Sequence, residues 1–498
     1  MLQTASSPSK LPVIIQGGMG VGVSNWELAS AVSAGGQLGV VSGTALSAVI
    51  VRRLQSGDAT GAIRRALAHC PLMDAARAVE ARYFNPAGLP ADQPYRLTSM
   101  YSITSADELV ALTIIANFVE VWLAKAGHTG VVGINLLEKI QLPTLASLYG
   151  AMLAKVDYVL MGAGIPRAIP AVLDHFAAGE KASLRIAVEG ASADDEYVLT
   201  FNPADFISAP APLLRRPQFL AIVSSSALAT TMARKASGRV DGLVIEGVSA
   251  GGHNAPPRGT PTFNPRGEPI YGPRDSADLN AIRALGLPFW LAGSYAHPNR
   301  LRDALAMGAT GAQIGTAFAF CAESGLRADL KEAALRRSAA GTIELRTDPR
   351  ASPTGMPFKV VDLPGTVSKL AVYEQRTRAC DLGYLRQPYK KTDGSVGYRC
   401  PAEPAADFLR KGGDPADAVG RKCLCNGLLS AIGLGQALGP DHVEPAIVTA
   451  GEDIQDLRRF LGGDGFSYHA ADVLRFILAP AEKAGRVIPN ASPHSQPA

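Results

Sequence analysis

Eight short apolar runs, most of them followed by a stretch with helical patterning, constrain this chain more than any other feature. The runs are Leu11–Ile15, Leu38–Val41, Val131–Leu136, Tyr158–Met161, Phe219–Val223, Leu243–Ile245, Phe289–Ala292 and Ala312–Ile314. Each is bounded by Gly, Pro or polar residues, as a parallel strand covered on both faces should be. Eight such units in series predict an α/β fold of the TIM (β/α)8 barrel type. An open doubly wound sheet would also alternate strand and helix. The helix punctuation fits this pattern. Ser24-Asn25-Trp26-Glu27 reads as a capping box with Ser24 as N-cap, and Pro298 opens a helix that Gly308 ends.

Two segments interrupt the series. Residues 184–210 hold a ninth strand candidate, Leu184–Val188, then a polar stretch and Tyr197–Phe201; this pair is expected to form a hairpin outside the barrel. Residues 83–94 read as an irregular insertion between the second and third barrel strands. Near Thr347 the alternation stops. The barrel is therefore assigned to residues 11–347, an appended, Cys-containing and mainly helical cap region to 348–489, and a disordered polar tail to 490–498.

Composition excludes several classes. Of 498 residues, 47% are apolar and 18% charged, which rules out a disordered chain and leaves material for a large core. The 48 basic and 44 acidic residues nearly balance. A nucleic-acid binder would show a basic stripe, whereas Arg52-Arg53, Arg64-Arg65, Arg215-Arg216 and Arg336-Arg337 are isolated pairs that read as solvated helix faces. The uncharged stretch Leu28–Val51 has the length of a membrane span, but Gly35-Gly36, Gln37, Ser42, Gly43 and Thr44 divide it into helix, turn, strand and loop. Residues 1–10 lack the apolar region of a secretory signal. A cytoplasmic protein without a membrane or nucleic-acid partner is expected.

Chemistry in a parallel barrel sits at the C-terminal ends of the strands. Three glycine-bearing turns fall there: Gln16-Gly17-Gly18-Met19-Gly20 after the first strand, Gly293-Ser294 after the seventh and Gly315-Thr316 after the eighth. Glycine lets backbone N–H groups approach an anion without a Cβ in the way. The loops after strands seven and eight are where this fold commonly binds phosphate, so Gly293, Ser294, Gly315 and Thr316 read as a phosphate cup. After the sixth strand comes Glu246-Gly247-Val248-Ser249-Ala250-Gly251-Gly252-His253. An imidazole beside a phosphate-anchored ligand suits general acid–base work, because its ordinary pKa is near neutrality. His128 and His297 lack such a setting. Asn135, at the end of the third strand, offers donors and an acceptor to a ligand, or serves as a turn residue.

Six cysteines are too few for a disulfide scaffold of this size. Four of them, Cys380, Cys400, Cys423 and Cys425, fall in one region. Their C-x-C pair differs from the C-x2–4-C spacing of structural zinc and iron–sulfur sites. Reduced structural thiols are the plainer reading, a metal the other; no metal ligand is assigned.

These residues resemble the nitronate monooxygenase family and the related flavin-dependent enoyl-ACP reductases. The resemblance is carried in order by residues 12–19 (PVIIQGGM) with Gly22-Val23-Ser24, by residues 34–39 (AGGQLG), by Gly133-Ile134-Asn135-Leu136, by Ala250-Gly251-Gly252-His253 and by residues 311–316 (GAQIGT), over roughly residues 11–325. It implies a barrel that binds FMN non-covalently. Gly293, Ser294, Gly315 and Thr316 would hold the phosphate; Gly18, Met19 and Asn135, with Gln313, would line the ring system or ribityl chain; Gly251 and Gly252 would join the cofactor contacts. His253 matches the family's active-site histidine. The chain departs from the family in having Gly20 and Val21 between Met19 and Gly22, in Gly293-Ser294 where Gly-Gly is usual, and in Asn254-Ala255-Pro256-Pro257 after His253.

The activity so implied is oxidation of alkyl nitronates with O2. The alternative is an NAD(P)H-dependent enoyl-thioester reductase, in which His253 would donate a proton. A flavin- or metal-binding scaffold without turnover is a third reading. A small-molecule substrate is common to the two enzyme readings, and a homo-oligomer is the default for such enzymes.

Overall fold

The computed structural model describes residues 11–480, except 91, 208–212, 440–442 and 463–464. The expected tail at 490–498 lies outside the described residues. Eight parallel strands form one sheet: β1 (Ile14–Gln16), β2 (Gly39–Ser42), β3 (Val132–Leu137), β4 (Tyr158–Gly162), β5 (Gln218–Val223), β6 (Gly242–Glu246), β7 (Phe289–Ala292) and β8 (Gly311–Ile314). Each pairs with its neighbour in sequence from β2 to β8, and β8 pairs with β1 through Ile15↔Gln313.

A parallel bridge, Ile15↔Leu38, joins β1 to the approach of β2 and closes the cylinder. Two glutamines, the buried Gln16 and the half-buried Gln37, reinforce the seam. Gln16 Oε1 accepts from Val40 N at 2.9 Å, and Gln37 Oε1 accepts from Ile14 N at 2.8 Å. These amides serve backbone groups that a continuous ladder would otherwise satisfy. Inside the barrel, Ile15, Leu38, Val40, Leu160, Leu220, Val244 and Trp290 form one buried cluster. Trp290 is fully buried, and its Nε1 donates to Pro12 O at 2.8 Å. The cylinder is thus a packed core and not a pore.

Helices cover the outside. The first, Trp26–Ala34, is capped by Asn25, whose side chain accepts from Leu28 N at 2.9 Å, and not by Ser24. Ser24 is fully buried and otherwise engaged: it accepts from Met19 N and Gln16 Nε2, both at 2.9 Å, and donates to Gly17 O at 2.8 Å. It therefore fastens the loop after β1. The helix Pro298–Ala306 begins at Pro298 as expected, with His297 as its N-cap.

Ala182–Arg185 and Val198–Phe201 pair antiparallel in a separate two-stranded sheet. Beyond the barrel, Leu345–Asp348 pairs with Phe358–Val361, and Gln387–Lys390 with Val396–Arg399; short helices separate and follow these hairpins. The C-terminal residues pack into the barrel's outer layer. Val361, Val448, Ala450, Ile454 and Leu474 share one buried cluster with Ile14, Leu28 and Ile314. Arg52, read from sequence as part of a solvated face, is instead buried. It pairs with Asp381 at 3.1 Å and donates to Leu434 O at 2.7 Å, so burial of its charge is offset by two partners. Among the described residues no helix is long and apolar enough to cross a membrane.

Candidate active site

A cavity of about 520 Å³ opens at the C-terminal ends of the barrel strands. That volume is in the range of small-molecule and cofactor sites. Gly18, Met19, Asn135, Gly251, Gly252, His253, Gly293, Ser294, Gln313, Gly315 and Thr316 all line it. Residues scattered over some three hundred positions thus converge on one space, because each stands at or just beyond a strand end.

The loop after β7 has an unusual backbone. Gly293 has φ +103° and Ser294 φ +59°. Glycine takes such angles freely, but serine does so at a cost of about 1–3 kcal/mol. A Cβ on Gly293 would stand 2.7 Å from Ser249 Oγ, so this glycine is required for both conformation and space. Ser294 Oγ is buried and has no hydrogen-bond partner, and the same holds for Gln313 Oε1. Unpaired buried polar atoms are rare in a finished interior and call for a partner. On the opposite side, a Cβ on Gly18 would lie 2.3 Å from Asn135 Cβ. Asn135 Nδ2 donates to Leu160 O at 3.1 Å, which leaves Oδ1 as an acceptor. Strain, orphaned polar atoms and bare glycine backbone in one cavity fit a polar, phosphate-bearing ligand.

His253 is partly buried. Its backbone bridges to Phe358, and its ring meets Phe358 edge-on at 4.9 Å. Nε2 lies 2.7 Å from Ser352 Oγ. Burial pulls the imidazole pKa down to about 4, so the ring is neutral near pH 7. Glu246, the last residue of β6, also lines the cavity. Desolvation raises its carboxyl to about 7, where it can hold or release a proton at neutral pH. Sequence reasoning quoted this residue without giving it a role. Its signal was an acid directly ending an apolar barrel run.

The rim has a second part that the sequence did not reveal. Gly451 N donates to Thr316 Oγ1 at 2.8 Å, Gly252 N donates to Thr449 Oγ1 at 2.9 Å, and Glu452 N donates to Ser249 O at 3.0 Å. Residues 447–451 and 453 therefore cover the cup, while Met356, Phe358 and Leu428 add an apolar wall. His128 and His297 serve local structure. His128 Nδ1 accepts from Gly130 N at 3.1 Å, and His297 Nδ1 from Asn299 N at 3.1 Å.

The four grouped cysteines line a separate, much smaller pocket of about 10 Å³. Burial raises each thiol; Cys423 is pushed up to about 12, and Cys380, Cys400 and Cys425 also lie above the ordinary value. All four are unpaired thiols. Among the described residues no group of three or more His, Cys, Asp or Glu side chains is arranged to hold a metal ion.

Fold and cavity together define a parallel (β/α)8 barrel with a glycine-lined, mostly apolar cavity at its strand ends. Residues 202–353 match the family model described as nitronate monooxygenase. This segment carries β5 to β8, His253, Gly293-Ser294 and Gly315-Thr316. No curated protein matches the chain. Solved structures that resemble it include nitroalkane oxidase from Streptomyces ansochromogenes, at 16% identity over 94% of each chain with a TM-score of 0.45. Another is FabK from Thermotoga maritima, at 15% identity over 94% of this chain and 92% of that one, TM-score 0.44. A third is the enoyl reductase domain of MlnA from Bacillus amyloliquefaciens, at 12% identity over 94% of each chain, TM-score 0.43.

Proposed function

We propose that this protein is an FMN-dependent oxidoreductase of the nitronate monooxygenase type. One observation carries the reading: a single cavity at the strand ends joins a strained, glycine-lined cup with orphaned Ser294 and Gln313 oxygens to a neutral imidazole. The family-model match over residues 202–353 supports it. Gly293, Ser294, Gly315 and Thr316 would hold the phosphate. Gly18 and Met19 would leave room for the ring system, Asn135 and Gln313 would serve its polar edge, and Gly251 and Gly252 would complete the contacts. FMN, when bound, supplies one- and two-electron redox chemistry that no side chain here can provide.

The chain's own residues bind and orient the substrate. His253, held neutral by burial, is suited to receive an anionic nitronate or to exchange one proton with the substrate. Glu246 is the second proton-bearing group in the cavity. The apolar wall of Met356, Phe358 and Leu428 excludes water from the substrate side.

That apolar wall also favours a second reading, reduction of an enoyl thioester at the expense of NAD(P)H, since an acyl chain would lie against it. Anaerobic mixing separates the two. Bleaching of the flavin by an alkyl nitronate alone is the expected result. Bleaching only by NADPH, with reoxidation by an enoyl thioester, would replace the first reading with the second.

A further inference from the structure

His253 is a half-buried neutral ring with one nitrogen tied down, and the hydrogen-bond inventory around it decides which nitrogen carries the proton. Nε2 is 2.7 Å from Ser352 Oγ. Ser352 is fully buried. Its Oγ accepts from Thr354 N at 3.2 Å and lies 2.8 Å from Thr354 Oγ1. Thr354 Oγ1 in turn accepts from Met356 N at 3.4 Å. A hydroxyl has one proton to give and two lone pairs to offer.

Two arrangements are possible. In one, Thr354 donates to Ser352 and Ser352 donates to Nε2; each hydroxyl proton then has an acceptor. In the other, Nε2–H donates to Ser352, Ser352 donates to Thr354, and the Thr354 proton has no acceptor in the chain among the described residues. The first arrangement leaves one polar group without a partner among the described residues, Nδ1–H, whereas the second leaves two, the Thr354 proton and the Nδ1 lone pair, so the first is favoured. We infer that Ser352 is a positioning residue that donates to Nε2 of His253, fixes the Nδ1–H tautomer and so presents the imidazole to the cavity as a hydrogen-bond donor rather than as a base. Among the described residues Nδ1 makes no hydrogen bond to the chain, so its proton is free for an acceptor on the ligand.

The turn that carries Ser352 is itself fastened. Arg421 Nη1 donates to Ser352 O at 2.6 Å, and Lys422 N donates to Ala351 O at 2.9 Å. The backbone on both sides of the imidazole is paired as well, through Asn254 N to Pro357 O at 2.9 Å and Lys359 N to Gly252 O at 3.0 Å. The serine and the ring are thus held by two strands of the chain, and their register does not depend on a ligand. As a consequence for the reaction, and resting on the oxidoreductase reading, the substrate atom facing His253 is an oxygen with lone pairs: a nitronate oxygen or a thioester carbonyl.

The test reads the ring directly. Protein labelled with 15N-histidine is examined by NMR at pH 7, and the His253 signals are assigned by their loss in His253→Gln. The wild type should show a protonated Nδ1 and an unprotonated Nε2. Ser352→Ala should move the population toward Nε2–H and lower turnover about tenfold, mainly in kcat and with FMN content unchanged. Ser352→Thr, which keeps the hydroxyl, should restore the wild-type spectrum. An Nε2–H ring in the wild type would overturn the inference, and so would a Ser352→Ala spectrum identical to it. Failure of the function itself is read separately: protein without flavin or flavin-linked turnover leaves the tautomer measurement intact.

Discussion

The two places where chemistry-bearing residues gather, the barrel rim and the four-cysteine pocket, differ in ways that separate a ligand site from interior packing. The rim encloses about 520 Å³, carries strained Ser294 and leaves two buried side-chain oxygens without partners. The cysteine pocket encloses about 10 Å³, and its thiols sit above their ordinary pKa because burial disfavours the thiolate. A thiolate is the form that binds metals and reacts. Both clusters stood out in the sequence. Buried oxygens without partners occur beside the cysteines as well, Glu403 Oε1 and Asn426 Oδ1, so what sets the rim apart is its room and its strained backbone.

The sharpest way to break this contrast is to fill the rim. A methyl on Gly18 would press on Asn135 Cβ. Gly18→Ala is expected to weaken FMN binding about a hundredfold, the equivalent of about 3 kcal/mol of strain and lost contact; titration followed by flavin fluorescence measures it. As large or larger is the effect expected of His253→Ala, which should lower turnover about 10²- to 10⁴-fold while FMN binding stays within about twofold. Retained turnover would remove His253 from the chemistry.

A smaller effect is carried by Glu246. Burial lifts its folded pKa to about 7 from an ordinary 4.5. The unfolded chain ionises first as pH rises, so the stability linked to this group is full below about pH 4.5 and is lost progressively through about pH 7. Glu246→Gln does not titrate. Measured as urea midpoints of flavin-free protein, the variant should gain on the wild type by about 1–3 kcal/mol between pH 5 and pH 8. A constant difference across that range would contradict the assignment. The smallest effect sharpens the other side of the contrast. Cys400→Ser should cost about 1–3 kcal/mol of stability, from a buried hydroxyl lacking a good partner, and leave FMN affinity and turnover unchanged.

Much of the barrel could be read from local chemistry. Buried parallel strands must be short, apolar and bounded by turn formers, and all eight segments meet that demand within a few residues. The glycines of the rim could be read for the same reason, since the fold places strand ends where ligands bind. Ser24 was misread because its tertiary partners, Gln16 and Met19, compete with the helix end for its hydroxyl. Arg52 was misread because its partners Asp381 and Leu434 lie far along the chain. The 447–453 rim, the Phe358 strand and Ser352 were not foreseen: a loop that folds back from an appended region leaves no periodicity that ties it to the barrel.

The central claim is that the strand-end cavity is a flavin site. Acid release of bound chromophore from the purified protein, followed by chromatography and by titration of the stripped chain with FMN, tests it most directly. The account predicts close to one FMN per chain, with affinity retained in Cys400→Ser and weakened about a hundredfold in Gly18→Ala. A colourless protein that takes up no FMN on titration, or one whose flavin is indifferent to Gly18→Ala, would contradict it.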